Sequence, residues 1–182
     1  MKSIVLFGDS LLSLFSRNLI FLLEEKIDDV TIYNCATGGF NTRDALKRAN
    51  FFAQLKADYV CISLGVNDCN PFKGQPVPLE EFAENLTAII QSFAGSKVIL
   101  FPCPPVHDPI DPLDAKNFNN LLSQYNEAIN KIAAKTNADV LDSTSVYVEL
   151  TEKGEGYHLD DGIHLNTKGY HVFIEELSKL IG

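Results

Sequence analysis

The stretch Ser3-Ile4-Val5-Leu6-Phe7-Gly8-Asp9-Ser10-Leu11-Leu12 runs from an apolar segment directly into a helical pattern. Ser3–Phe7 reads as a fully buried strand. From Leu11 to about Glu25 the residues Leu11, Leu12, Phe15, Leu19, Leu22 and Leu23 recur at helical spacing. Ser10 therefore falls on a tight strand-to-helix turn, and Gly8 gives that turn room. A hydroxyl there points off the end of a sheet towards the positive end of a helix dipole, where a forming anion is stabilised. The plainer role for Ser10 is to cap the helix, since serine is a favoured N-cap. This stretch alone leaves both roles open.

Working outward, the same alternation repeats. Val30–Asn34, Tyr59–Ser63, Lys97–Phe101 and Asp139–Leu141 read as further strands. Thr42–Leu55, Leu79–Phe93, Lys116–Lys135 and Lys168–Leu180 read as further helices. Strand-helix alternation predicts an α/β fold in three layers, with a five-stranded parallel sheet between helices. Right-handed crossovers leave few topologies, and a flavodoxin-like order fits best. The 182 residues fit a single domain, 1–182, without linker, repeat or low-complexity tract. Functional sites in such sheets form at the carboxyl ends of the strands. All eight prolines lie in the two loops after the third and fourth strands: Pro71, Pro76 and Pro78, then Pro102, Pro104, Pro105, Pro109 and Pro112. Prolines commonly mark loops. Their gathering on one edge also suggests stiff walls around a pocket.

The composition excludes several functions. Hydrophobic residues make up 46% of the chain, enough for a sizeable core. A net charge of −9 repels phosphate backbones and anionic lipid, so nucleic acid is not an expected partner. No segment has the apolar length of a membrane span. Strand residues begin at Ser3, leaving no secretory leader, so the cytoplasm is the expected location. Cys35, Cys61, Cys69 and Cys103 show no metal-binding spacing, which predicts free thiols and no zinc site. No cofactor is expected. Asn85-Leu86-Thr87 fits a glycosylation acceptor but lies mid-helix and reads as a chance match.

Four chemical features stand at predicted strand ends or ahead of helices. Ser10 is the first. The second strand leads into Gly38-Gly39-Phe40-Asn41-Thr42-Arg43, where Gly39 can adopt positive φ and expose an N–H towards Ser10. The same residues also make an ordinary turn before a helix capped by Asn41 or Thr42. The third strand leads into Gly65-Val66-Asn67-Asp68, where Asn67 either shapes the turn or aims its amide at an oxyanion. Near the C-terminus, Asp161-Gly162-Ile163-His164 places a carboxylate one turn from an imidazole. Asp161 can hold Nδ1–H and leave Nε2 of His164 for Ser10. The bland alternative makes both residues part of the loop before the last helix. His158 is the one serious rival base. Together these residues supply a nucleophile, two oxyanion donors, a base and an orienting acid, the requirements of covalent acyl transfer.

With these motifs in hand, the chain resembles the GDSL-type, or SGNH, hydrolases. Gly8-Asp9-Ser10-Leu11 matches the family's nucleophile block, Gly39 its second-block glycine, Gly65-Val66-Asn67-Asp68 its third block and Asp161-Gly162-Ile163-His164 its last. The resemblance spans the chain from first strand to last helix. It implies a flavodoxin-like sheet and a metal-independent serine esterase. Ser10, His164 and Asp161 would be catalytic, and Ser10, Gly39 and Asn67 would form the oxyanion hole. Two positions depart from commoner members. Leu11-Leu12-Ser13 follows the nucleophile where a threonine is frequent, and Gly38 stands where a serine is frequent. Gly39-Phe40-Asn41-Thr42-Arg43 is similar to the isoamyl-acetate-hydrolysing branch, which implies a small acyl ester as substrate. Carbohydrate O-deacetylation and thioester hydrolysis by the same machinery are the alternatives within the class. A non-catalytic binding domain on the same fold is the alternative outside it. A nucleotide-binding flavodoxin-like protein ranks last, because the phosphate-binding glycine motifs are missing. An α/β-hydrolase is disfavoured without a G-x-S-x-G elbow.

Overall fold

The computed structural model describes residues 1–70, 76–107 and 112–182; Pro71 and Pro109 lie outside them. The strands are β1 (Lys2–Gly8), β2 (Val30–Asn34), β3 (Tyr59–Ser63), β4 (Lys97–Leu100) and β5 (Asp139–Val140). The helices are α1 (Ser10–Ser13), α2 (Arg17–Lys26), α3 (Thr42–Ala53), α4 (Val66–Cys69), α5 (Leu79–Ser92), α6 (Pro112–Thr136), α7 (Thr144–Glu152) and α8 (Thr167–Ile181). The sheet is parallel throughout, in the order β2-β1-β3-β4-β5. This is the expected flavodoxin-like order.

The strands are buried because helices cover both sheet faces. Ile4, Val5, Leu6 and Phe7 of β1 are all buried, as a central parallel strand requires. Phe7 packs its ring on Phe52 of α3 and on Phe93 just beyond α5. Phe101, just after β4, and Phe15 instead meet Phe173 of α8. β2 lies at an edge and is only half-buried, with Tyr33 exposed.

Three sequence expectations change. The helix expected over Leu11–Glu25 is two helices. The side-chain amide of Asn34 donates to the carbonyls of Leu12 and Phe15, satisfying the end of α1. The chain then extends at Ser16 before α2. Pro112 opens α6 rather than lying in the loop, a position where its missing N–H is harmless. Two short helices, α4 and α7, had no sequence forecast. At the other end of the range, strand pairing continues where expected beyond β4 and β5. Phe101 N–H donates to Ile62 O, and Leu141 N–H donates to Leu100 O.

The direction in which the chain leaves the sheet reverses at β1: β2 lies on one side and β3 on the other. A crevice forms outside the carboxyl ends at such a switch point. Ser10 follows β1, Gly39 follows β2 and Asn67 follows β3.

Candidate active site

The turn after β1 is built by close backbone approach. Gly8 has φ +154°, and a Cβ there would lie 2.0 Å from the carbonyl oxygen of Ser63 in β3. Asp9 N–H donates to that same oxygen at 3.1 Å. The Asp9 side chain then caps α1 by accepting from Leu11 N–H at 2.9 Å. Ser10 is therefore the first helical residue and not the cap, which removes the plainer reading of it. The helix it opens has four residues, so the dipole behind it is shorter than the sequence pattern suggested.

The loop after β2 folds against this turn. Thr37 N–H donates to Gly8 O at 2.9 Å. A Cβ on Gly38 would sit 3.9 Å from Ser10 Cβ and 3.6 Å from Ser13 Oγ, an ordinary contact that a serine there could make. Gly39 adopts φ +82°, the positive region that favours glycine. Asn41 caps α3 through Asp44 N–H.

The third strand end is tied to the second. Gly65, at φ +133°, precedes α4. Asn67 is buried and donates its amide to Phe40 O at 2.9 Å. Asp68 is fully buried, and its Oδ1 accepts from Thr42 N–H at 2.9 Å and from the Thr42 hydroxyl at 2.5 Å. Burial pushes the Asp68 carboxyl up to about 6, against the pull of both Thr42 donors.

Asp161 and His164 meet as the sequence predicts. His164 Nδ1 lies 2.5 Å from Asp161 Oδ2. Asp161 Oδ1 accepts the N–H groups of Ile163 and His164, at 3.0 and 2.9 Å. Burial draws the Asp161 carboxyl up, but the His164 side chain and these N–H groups outweigh it and hold the carboxyl below its ordinary value. Gly162, at φ +69°, allows the tight turn between them. Asn166 next caps α8. Tyr170 in α8 donates its hydroxyl to Leu11 O at 2.9 Å, fastening the segment after His164 to the Ser10 turn. Among the described residues no hydrogen bond joins the Ser10 hydroxyl to the His164 ring, whose Nδ1 is taken by Asp161.

A model of the GDSL-like lipase/acylhydrolase family matches residues 6–172. The chain belongs to that family. Among its relatives, the human isoamyl acetate-hydrolyzing esterase 1 homolog is 27% identical over 98% of this chain and 80% of its own. The yeast isoamyl acetate-hydrolyzing esterase (Saccharomyces cerevisiae) is 26% identical over 88% of this chain and 72% of its own. A lipase/acylhydrolase from Enterococcus faecalis superposes at TM-score 0.83 with 26% identity, over 100% of this chain and 95% of its own. The acetyl xylan esterase AlAXEase shares the fold at TM-score 0.85 with 21% identity, over 99% and 100%. The GDSL-family chain is accordingly a carboxylic ester hydrolase, which sets aside the binding-module alternative.

Within this GDSL-family enzyme several supporting residues were not foreseen. Asn34, Thr42, Asp68 and Tyr170 position the strand-end loops through partners far away in sequence, whereas the Asp9 side chain bonds locally to Leu11 N–H. His158, the rival base, sits in a different setting. Burial, then the nearby His107 ring, pulls its imidazole down to about 4. Its Nε2 is buried without a hydrogen-bond partner.

Pro102 and Pro105 line a cavity of about 540 Å³ with Leu122, Asn126 and Leu141, but none of the five expected site residues does. All four cysteines are free, and burial pushes the thiols of Cys61, Cys69 and Cys103 upward, making them poor nucleophiles. Among the described residues no helix is long and apolar enough to cross a membrane.

Proposed function

We propose that this GDSL-family enzyme hydrolyses short-chain acyl esters through an acyl-enzyme on Ser10. The observation that carries the reading is the short Asp161–His164 contact, with Asp161 also held by two backbone N–H groups. That arrangement keeps the proton on Nδ1 and presents Nε2 as a base. Ser10 Oγ attacks the ester carbonyl while His164 takes its proton. The tetrahedral oxyanion is held by the N–H groups of Ser10 and Gly39 and by the Asn67 amide. His164 then protonates the leaving alcohol, and water, activated by His164, releases the acid. Asp161 orients the ring and stabilises the imidazolium.

A small acyl group is supported by the relatives named for isoamyl acetate hydrolysis. Four free thiols suit a reducing cytoplasm. The test is trapping of a labelled phosphonate on Ser10, followed by a panel of nitrophenyl esters, acetylated sugars and acyl-CoA. Ser10→Ala should remove nearly all turnover with the fold intact, leaving a residue of roughly 10³–10⁴ over water from oxyanion binding. A folded Ser10→Ala variant with full esterase activity ends the proposal. Preference for acetylated sugar or acyl-CoA replaces the short-ester assignment.

A further inference from the structure

The segment Cys103-Pro104-Pro105-Val106 joins the sheet to α6. Its two prolines carry no N–H, so Cys103 and Val106 hold its only main-chain donors. Both go to asparagines of α6. Asn126 Oδ1 accepts Cys103 N–H at 3.1 Å, and its amide donates to Cys103 O at 2.9 Å. Asn119 Oδ1 accepts Val106 N–H at 2.8 Å, and its amide donates to Val106 O at 2.9 Å. Each side-chain amide thus pairs with both main-chain groups of one residue, as a neighbouring strand would. The two asparagines are seven apart, two helical turns, and so share a face.

The next residue reaches the acid–base turn. His107 N–H donates to Gly162 O at 2.7 Å, and Gly162 lies between Asp161 and His164. The Tyr157 hydroxyl donates to Pro105 O at 3.1 Å, fixing the same segment from the other side. The turn's other main-chain bonds, Leu159 N–H to His164 O and Gly162 N–H to Leu159 O, are internal to it. They shape the turn but do not set its place against the sheet.

We propose that Asn119 and Asn126 are positioning residues for ester hydrolysis: they clamp Cys103–Val106 so that His107 N–H anchors Gly162 and sets the place of Asp161 and His164. This rests on the catalytic roles proposed above. In the ionised state, Asn119→Asp keeps the acceptor for Val106 N–H but turns a carboxylate oxygen towards Val106 O. Once protonated, the same carboxyl has one donor and one acceptor and restores the pairing.

The experiment measures kcat and KM of wild type and Asn119→Asp from pH 5 to 8, with amide hydrogen exchange at His107. The variant-to-wild-type ratio at each pH isolates what the substitution changes. The expected result is a tenfold or greater loss of kcat at pH 8, KM within about twofold, faster exchange at His107, and a ratio that climbs as pH falls. Gln124→Ala, on the exposed face of the same helix, should match wild type. A ratio near one, a deficit equal at every pH, or unchanged exchange at His107 overturns the proposal. Asn126→Asp gives the same reading through Cys103 if Asn119→Asp does not fold. Slow exchange of His107 in the unmodified enzyme is required in any case, and exchange at the free-chain rate also overturns it. Phosphonate labelling of wild-type Ser10 reports on the catalytic reading separately, so the two failures are distinguishable.

Discussion

His158 and His164 are six positions apart but stand in different electrostatic surroundings. His164 faces Asp161, whereas burial and the His107 ring hold His158 near 4 and keep it neutral through the physiological range. His158→Ala should keep near-wild-type turnover, and His164→Ala should abolish it; steady-state rates of the two variants decide between them, and the opposite pattern moves the base to His158. Asn67 is a subtler case. Its amide donates to Phe40 O, so a carboxylate there disturbs the loop whatever its catalytic role. Asn67→Ala is the cleaner probe. An oxyanion donor predicts a kcat loss of about 10²–10³ with little change in KM. A residue that only shapes the turn predicts a lower Tm with kcat nearly kept.

Between elements, the β1–β3 approach at Gly8 leaves no room for a side chain. The nearest atom to a Cβ there is the backbone oxygen of Ser63, which cannot swing aside. Gly8→Ala should destabilise by on the order of 4 kcal/mol or more, in the range reserved for severe backbone and core lesions. Chemical denaturation with refolding controls measures it, and a wild-type midpoint would show that the strands can part. Helix boundaries were legible where a periodic apolar stripe exists. They were not at α7, which buries only Tyr147, nor at α4, a single turn after Gly65. The break between α1 and α2 was also hidden, because Leu14-Phe15-Ser16 sits within a helical pattern and the Asn34 amide that ends α1 comes from β2.

For the molecule as a whole, the buried Asp68 couples folding to pH. Its folded carboxyl titrates near 6 against an ordinary 3.8, so the folded protein holds a proton that the unfolded chain releases between those values. The stabilisation is complete below 3.8 and is lost as pH rises through about 6; the span corresponds to about 3 kcal/mol. Asp68→Asn cannot titrate. The Tm of wild type minus that of Asp68→Asn should therefore fall as pH rises from about 4 to 7, and a constant difference would show that Asp68 is ionised throughout. The strand order was legible in the chain itself, because alternating buried strands and helices with right-handed crossovers admit few arrangements and the flavodoxin-like one fits best. So was the Asp161–His164 pair, because three residues and a glycine are enough to close that turn. What holds the site in place emerges only when the chain is folded. Asp68 meets Thr42, Tyr170 meets Leu11, and Asn119 and Asn126 meet the proline segment across 13 to 159 positions of chain. Such pairings leave no local periodicity, since they arise where strand ends and helices converge rather than along any one element.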